Sequence, residues 1–158
     1  MTDKEKKISF SVPGKPRGQG RPRFGNGRAY KKGEDVAYEA EIAKAAKDAA
    51  AEAGIALPVT DDERGVSLRV DAYFPVPSSK PKWWKAAALG DRIRPEVKPD
   101  LDNVIKAVMD ALNGVAWGDD SHVTCLWAAK AYSSQPRLSV ALFWQEPAEG
   151  KRPDQGGE

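Results

Sequence analysis

Between Lys98 and Gly114 the chain encodes a helix and places acids along its edge. Apolar residues at Val104, Ile105, Val108, Met109 and Leu112 recur with a helical period. Asp102, Lys106 and Asp110 are spaced four apart, so a helix sets them in one stripe beside that apolar face. Asp100 precedes the first turn as a cap and Gly114 follows the last. With Asp119 and Asp120 just beyond, five carboxylates fall within 23 positions. Neighbouring carboxylates repel and resist burial, so this arrangement is costly unless a cation is held among them. The segment therefore demands an apolar surface to pack on and points to a metal site.

The rest of the chain supplies such a surface. Ile8, Phe10 and Val12 alternate with polar residues and predict a strand, ended by Pro13-Gly14. Pro16, Gly18, Gly20, Pro22, Gly25 and Gly27 then predict an irregular loop. Residues 34–52 are alanine-rich, with Tyr38, Ile42, Ala45 and Ala49 on one face, and predict a helix ending near Gly54. Val66, Leu68, Val70, Ala72 and Phe74 give a second strand, closed by Pro75 and Pro77. A short helix is expected over 79–89, a loop over 90–99 and the acidic helix over 101–113. Val123, Cys125, Trp127 and Ala129 alternate in a third strand, and Leu138, Val140, Leu142 and Trp144 in a fourth. Ser133 to Pro136 form the hairpin loop between them. Trp127, Trp144 and Cys125 are expected in the core. The class is α+β: one domain over 1–145, with a small mixed sheet of about four strands and two to three helices. Residues 146–158, rich in Pro, Gly and charge, are expected to be a disordered tail.

A chain of 158 residues is long enough to bury a real core as one domain. With 41% hydrophobic and 30% charged residues it has the balance of a soluble globular protein. No apolar run approaches the ~18 residues of a membrane span. The charged start, Met1 to Lys7, is unsuited to a signal peptide, and Cys125 is the single cysteine. Together these point to a cytoplasmic protein with no membrane partner. The net charge of +2 conceals an asymmetry. The arm from Val12 to Lys32 carries Lys15, Arg17, Arg21, Arg23, Arg28, Lys31 and Lys32 and no acid. A basic arm and an acidic site in one small domain fit a polyanion gripped by one and cut at the other. The plainer alternative is a solvated loop.

Asp100 and Asp102 lie at the entry to the helix, where a turn can aim both at one cation. Mg²⁺ takes oxygen ligands, often one or two carboxylates with water and substrate phosphate. Asp119 and Asp120 lie where the chain can fold back beside the helix start. Lys106 either forms an ordinary i, i+4 pair with Asp102 or sets a positive charge against a scissile phosphate. Asp110, about 12 Å along the axis from the first acids, is expected to be structural. His122, the only histidine, positions water or phosphate or is structural, the latter being favoured; one histidine and one cysteine make no zinc site. Trp83 and Trp84, in a stretch rich in Lys and Pro, suit packing first and contact with a base or partner second. The chain has no Walker-type phosphate loop and no Gly-x-Ser-x-Gly elbow.

The run from Lys98 to Gly114, followed by Trp117-Gly118-Asp119-Asp120-Ser121-His122-Val123, resembles the signature of the RusA-type Holliday junction resolvases. Val12 to Arg17, Gly20 to Phe24 and Arg28 to Lys31 resemble the basic amino-terminal segment of their phage-borne members. The likeness runs from about Ile8 to Trp144 and is most specific between Lys98 and Val123. It implies a RusA-like fold and a Mg²⁺-dependent endonuclease, with Mn²⁺ as a substitute. It implies a homodimer acting on four-way DNA junctions in recombination and repair, in a bacterial host and of phage or prophage origin. The resemblance carries the acidic triad to Asp100, Asp102 and Asp120 and the catalytic lysine to Lys106. Asp119, beside the third acid, assists or replaces it as a metal ligand. Lys15, Arg17, Arg21, Arg23, Arg28, Lys31 and Lys32 are the expected DNA contacts. His122 departs from many relatives, which carry glutamine after Asp-Asp-Ser, and this touches only a contact outside the ligand set. Two other classes fit less well. A catalytically inactive junction-binding protein is at odds with the intact Asp100, Asp102, Asp120 and Lys106. A metal-dependent enzyme on a small phosphorylated substrate is at odds with the basic arm.

Overall fold

Alternation in four strands and a four-residue period in two helices build two layers, a sheet and the helices that cover one of its faces. The computed structural model describes residues 4–20 and 33–146, together with the backbone of 23–25 and 28–30. In chain order the elements are β1 (Lys4–Pro13), β2 (Arg23–Gly25), β3 (Arg28–Tyr30), α1 (Gly33–Ala53), β4 (Val66–Pro75), α2 (Lys82–Leu89), α3 (Leu101–Leu112), a 3-10 turn (Asp120–His122), β5 (Val123–Ser133) and β6 (Arg137–Glu146). The main sheet is ordered β1-β6-β4-β5 and is mixed: β4 and β5 are parallel and the other pairs antiparallel. β2 and β3 pair antiparallel within the arm, part of which was expected to be irregular. Their six residues pair with each other and not with the main sheet. The carboxy-terminal tail from 147 lies outside the described residues. Among the described residues, no helix is long and apolar enough to cross a membrane.

The core lies between the sheet and helices α1 and α3. Cross-strand rows Ile8–Leu142–Leu68 and Phe10–Val140–Val70 point inward and are buried. On α1 the buried residues Tyr38, Ile42, Ala46 and Ala50 recur every four positions, and the alanines let the helix lie close to β1 and α3. On α3, Val104, Ala107, Val108, Ala111 and Leu112 are buried. Each fully buried Val or Leu contributes about 1.5–3 kcal/mol. That is enough to hold α3 down while its polar stripe stays at the surface.

β5 reverses one expectation. Val66 pairs with Val123, but the next residue, Ser67, pairs with Cys125; the register shifts at this bulge. One extra residue inverts the facing of everything after it, because side chains alternate with a period of two. Leu126 and Ala128 therefore fall in register with Leu68 and Val70, although Leu126 stays exposed on this edge strand, while Cys125 and Trp127 point outward beside Ser67 and Arg69. Cys125 is exposed, and Trp127 is half exposed with the Arg69 guanidinium stacked 4.1 Å from its ring. Neither belongs to the core, whereas Trp144 does, at 2% exposure.

Candidate active site

α3 starts where the acidic motif predicts, but Asp100 does not cap it. Asp100 occupies the N-cap position in extended backbone, and its side chain makes no capping hydrogen bond. Its two carboxylate oxygens instead accept from Lys98 Nζ at 2.9 and 3.0 Å. Both partners are more than half exposed, so solvent screens this pair and it contributes little to stability. In the first turn, Asp102 Oδ1 accepts from the Asn103 backbone N–H at 3.0 Å. A negative charge here also gains from the unpaired N–H groups at the helix start.

The basic arm begins against this same turn. Gln19 N–H donates to the Asn103 carbonyl at 3.0 Å. Gly18 lies so near that a Cβ on it would stand 2.7 Å from Pro99 Cβ and 2.9 Å from Asn103 Cβ. Lys15 is exposed. Arg17 is tied sideways to the start of α1, 2.8 Å from Glu34 and 3.8 Å from buried Asp35. The hydrogen bond to Glu34 pushes its pKa up against a smaller effect of burial. The side chains of Arg21, Arg23, Arg28, Lys31 and Lys32 fall outside the described residues.

Lys106 lies in the middle of α3, exposed, with Nζ 3.8 Å from Asp110 Oδ2. It leans one turn forward to Asp110, not back to Asp102. Asp110 is thus an ion-pair partner of Lys106.

Asp119 and Asp120 stand at the other end of α3. The chain does not fold back beside the helix start; it leaves the last turn of α3 and enters β5 there. The 12 residues of α3 span about 18 Å at 1.5 Å each. β5 then runs back along the helix, so that its eighth residue, Lys130, reaches the loop before Asp100 and donates to the Val97 carbonyl. Asp120 Oδ1 accepts from the indole Nε1 of Trp117 at 2.9 Å. Trp117 has no exposed surface, so this acid is fixed by a buried donor. Asp119 caps the 3-10 turn by accepting from Ser121 N–H at 3.0 Å. Hydrogen bonds from the Ser121 side chain and backbone lower its pKa.

Three further residues enter the region, of which only Trp117 falls within the sequence motif. Asp61 is buried, accepts from the Glu63 and Gly65 backbone N–H groups, and lies 3.7 Å from His122 Nδ1. His122 is therefore beside a carboxylate 61 positions earlier in the chain and next to Asp120 along it. Trp117 is the second. Lys130 is the third: it sits 5.0 Å over the Phe74 ring, and desolvation lowers its pKa while the Asp100 charge partly offsets that.

Among the described residues, no three His, Cys, Asp or Glu side chains are gathered to hold a metal ion. The reason is the separation along α3 and the local donor each acid has found. The donor chemistry itself fits a hard divalent cation: Asp100, Asp102, Asp119 and Asp120 offer carboxylate oxygens at or near the surface. The Lys98 ammonium, gripping both oxygens of Asp100, occupies one such position with a cation. Asp100 and Asp102 thus stand at one end of α3, and Asp119 and Asp120 at the other.

A family model described as Endodeoxyribonuclease RusA matches residues 13–142. Among curated proteins, the "Uncharacterized protein YqaN" of Bacillus subtilis (strain 168) is 36% identical over 141 residues. That match covers 85% of this chain and 94% of the relative.

Proposed function

The chain belongs to the RusA endodeoxyribonuclease family, and on that premise we propose that it is a structure-specific nuclease that resolves four-way DNA junctions in recombination and repair. One observation carries the link from family to this molecule. Gly18 and Gln19 seat the start of the basic arm on the turn that bears Asp100 and Asp102. DNA gripped through its phosphates by Lys15, Arg17 and the rest of the arm, Arg21, Arg23, Arg28, Lys31 and Lys32, would thereby be led to the acids. Such contacts fix the duplex without reading its sequence.

Asp100, Asp102 and Asp120, with Asp119 beside the last, would hold Mg²⁺, or Mn²⁺ in its place. When bound, such an ion supplies a nucleophilic water at neutral pH and positive charge for the phosphodiester's leaving oxygen. Lys106, exposed on the same helix, would add a charge to the phosphate in the transition state. Trp117 would hold Asp120 in a fixed orientation through its indole N–H. The two halves of the proposed ligand set stand at opposite ends of α3, and a homodimer would bring them together. Asp100 and Asp102 of one copy would meet Asp119 and Asp120 of the other. A two-fold dimer of this kind presents two sites, as a symmetric cut in two strands requires. This assembly would act in the cytoplasm of a bacterial host.

The test compares a synthetic four-way junction with a linear duplex of the same sequence, each with Mg²⁺, with Ca²⁺ and with excess chelator. Paired nicks in the junction alone, with Mg²⁺ alone, are expected. Ca²⁺ should allow binding with little cutting, because its larger radius and looser geometry place the water poorly. Binding without nicks in any metal would identify an inactive junction-binding protein. Full cutting in chelator would sink the metal chemistry.

A further inference from the structure

A cleft of about 490 Å³ opens between α2, the loop before α3 and the far end of β5. It lies at the Asp100 and Asp102 end of the molecule. Its volume is within the roughly 300–1,000 Å³ usual for small-ligand sites. Three cations line it, Lys80, Arg92 and Arg94, against one acid, Glu96. Two aromatic rings line it as well. Trp84 and Tyr132 meet edge to face with centroids 5.4 Å apart, and Lys80 Nζ stands 4.9 Å from the Trp84 ring. Arg94 is paired with Asp91 at 2.9 Å, but both side chains are more than half exposed, so the pair is readily exchanged for a phosphate.

The cleft is joined to the acid site by the chain itself. Val97 forms part of its wall, and its carbonyl is held by Lys130, the same residue that feels the Asp100 charge. Asp100 follows three residues later, at most about 11 Å away along an extended chain. At about 3.4 Å per nucleotide along a strand, that is a reach of about three nucleotides.

Rings that offer a face, cations that neutralise phosphate, and one nucleotide's worth of space define a ligand. We propose that this cleft takes one unstacked nucleotide of the DNA strand within about three positions of the phosphate to be cut, its base against Trp84 and Tyr132 and its phosphates against Lys80, Arg92 and Arg94. The proposal rests on the DNA-cutting function above and assigns to α2 and its loop a contact beyond the arm. It also gives a preference for DNA whose bases are already unpaired or unstacked, since these cost least to extrude.

Photo-crosslinking tests this directly, because 5-iodouracil joins to an aromatic side chain that stacks on it. The full-length protein, in Ca²⁺, is irradiated with four-way junctions carrying 5-iodouracil at single positions within three nucleotides of the crossover. Crosslinks should map to Trp84 or Tyr132 and disappear in Trp84→Leu. Stacking on an aromatic contributes enough that Trp84→Leu should weaken junction binding by roughly 5- to 150-fold, with linear duplex binding unchanged. Arg92→Ala with Arg94→Ala, both on exposed side chains, should make the dependence of log K on log salt shallower by about 1.4 for two strand phosphates. If the junction binds but no position crosslinks to either ring, and the double arginine variant keeps its slope, the cleft does not touch DNA. If instead Trp84→Leu or the arginine variant changes the oligomeric state, the cleft is a contact between copies and the proposal fails. Should the wild type ignore junctions yet crosslink a single-stranded oligonucleotide at Trp84, the junction function falls while the nucleotide site stands.

Discussion

Two inactive variants should restore each other. Asp100→Asn and Asp120→Asn each remove one carboxylate of the proposed ligand set. The two acids lie at opposite ends of α3, which spans about 18 Å, whereas the oxygens on one Mg²⁺ sit about 2.1 Å from the metal. One chain therefore does not bring both to one ion. In a shared site, a heterodimer of the two variants has one centre with both substitutions and one with neither. With free exchange, equal mixing makes about half of the dimers heterodimers, so about a quarter of all sites are intact. The assay is single-turnover nicking of an end-labelled junction by co-expressed, doubly tagged heterodimer. Each variant alone should bind the junction and not cut it, and the heterodimer should nick one strand at a time. Asp100→Asn mixed with Asp102→Asn is the control and should stay inactive, because both acids come from the same end. A heterodimer as inactive as its parents, though it binds the junction, would refute the shared site.

Gly18→Ala forces a Cβ against Pro99 and Asn103, so it should cost about 1–3 kcal/mol of stability and lower Tm by roughly 2–12 °C, whereas Gly33→Ala, which meets nothing within 4 Å, should not; equal Tm values would mean the arm does not press on α3. Trp117→Ala should cost about 3–5 kcal/mol and Trp127→Ala under about 1 kcal/mol by denaturant unfolding, and a reversed order would contradict the placement of the two rings. Lys106→Ala should keep its Tm and its junction affinity while single-turnover cutting slows by roughly 10²-fold; normal cutting would remove it from the site. Replacing Arg21 and Arg23 together with alanine should flatten the salt dependence of binding by about 1.8 in log–log slope, and an unchanged slope would place both arginines away from DNA.

Strictly local patterns in the sequence determined most of the secondary structure. Alternation marks β1, β4 and β6, and the repeated spacing of Tyr38 and Ile42 marks the buried face of α1. The spacing of Val104, Val108 and Leu112 against Asp102 and Lys106 determines both the packing of α3 and the exposure of its polar stripe. These are properties of neighbouring residues, and 3.6- and two-residue periods express them directly. The sequence also placed the basic arm just before the first helix, though not the way Gly18 fits into the first turn of α3. What the tertiary structure alone decided are relations between distant segments. One bulge in the pairing of β4 with β5 turned Cys125 and Trp127 outward, and no pattern within β5 announces it. Asp61 beside His122 and Lys130 on the Val97 carbonyl depend on how the crossover from β4 to β5 is routed, whereas Trp117 under Asp120 is a local contact, three residues apart. That routing also sends Asp119 and Asp120 to the far end of α3 from Asp100 and Asp102. Closeness in sequence suggested one cluster of acids, but a helix is rigid and about 18 Å long, so its two ends stay apart.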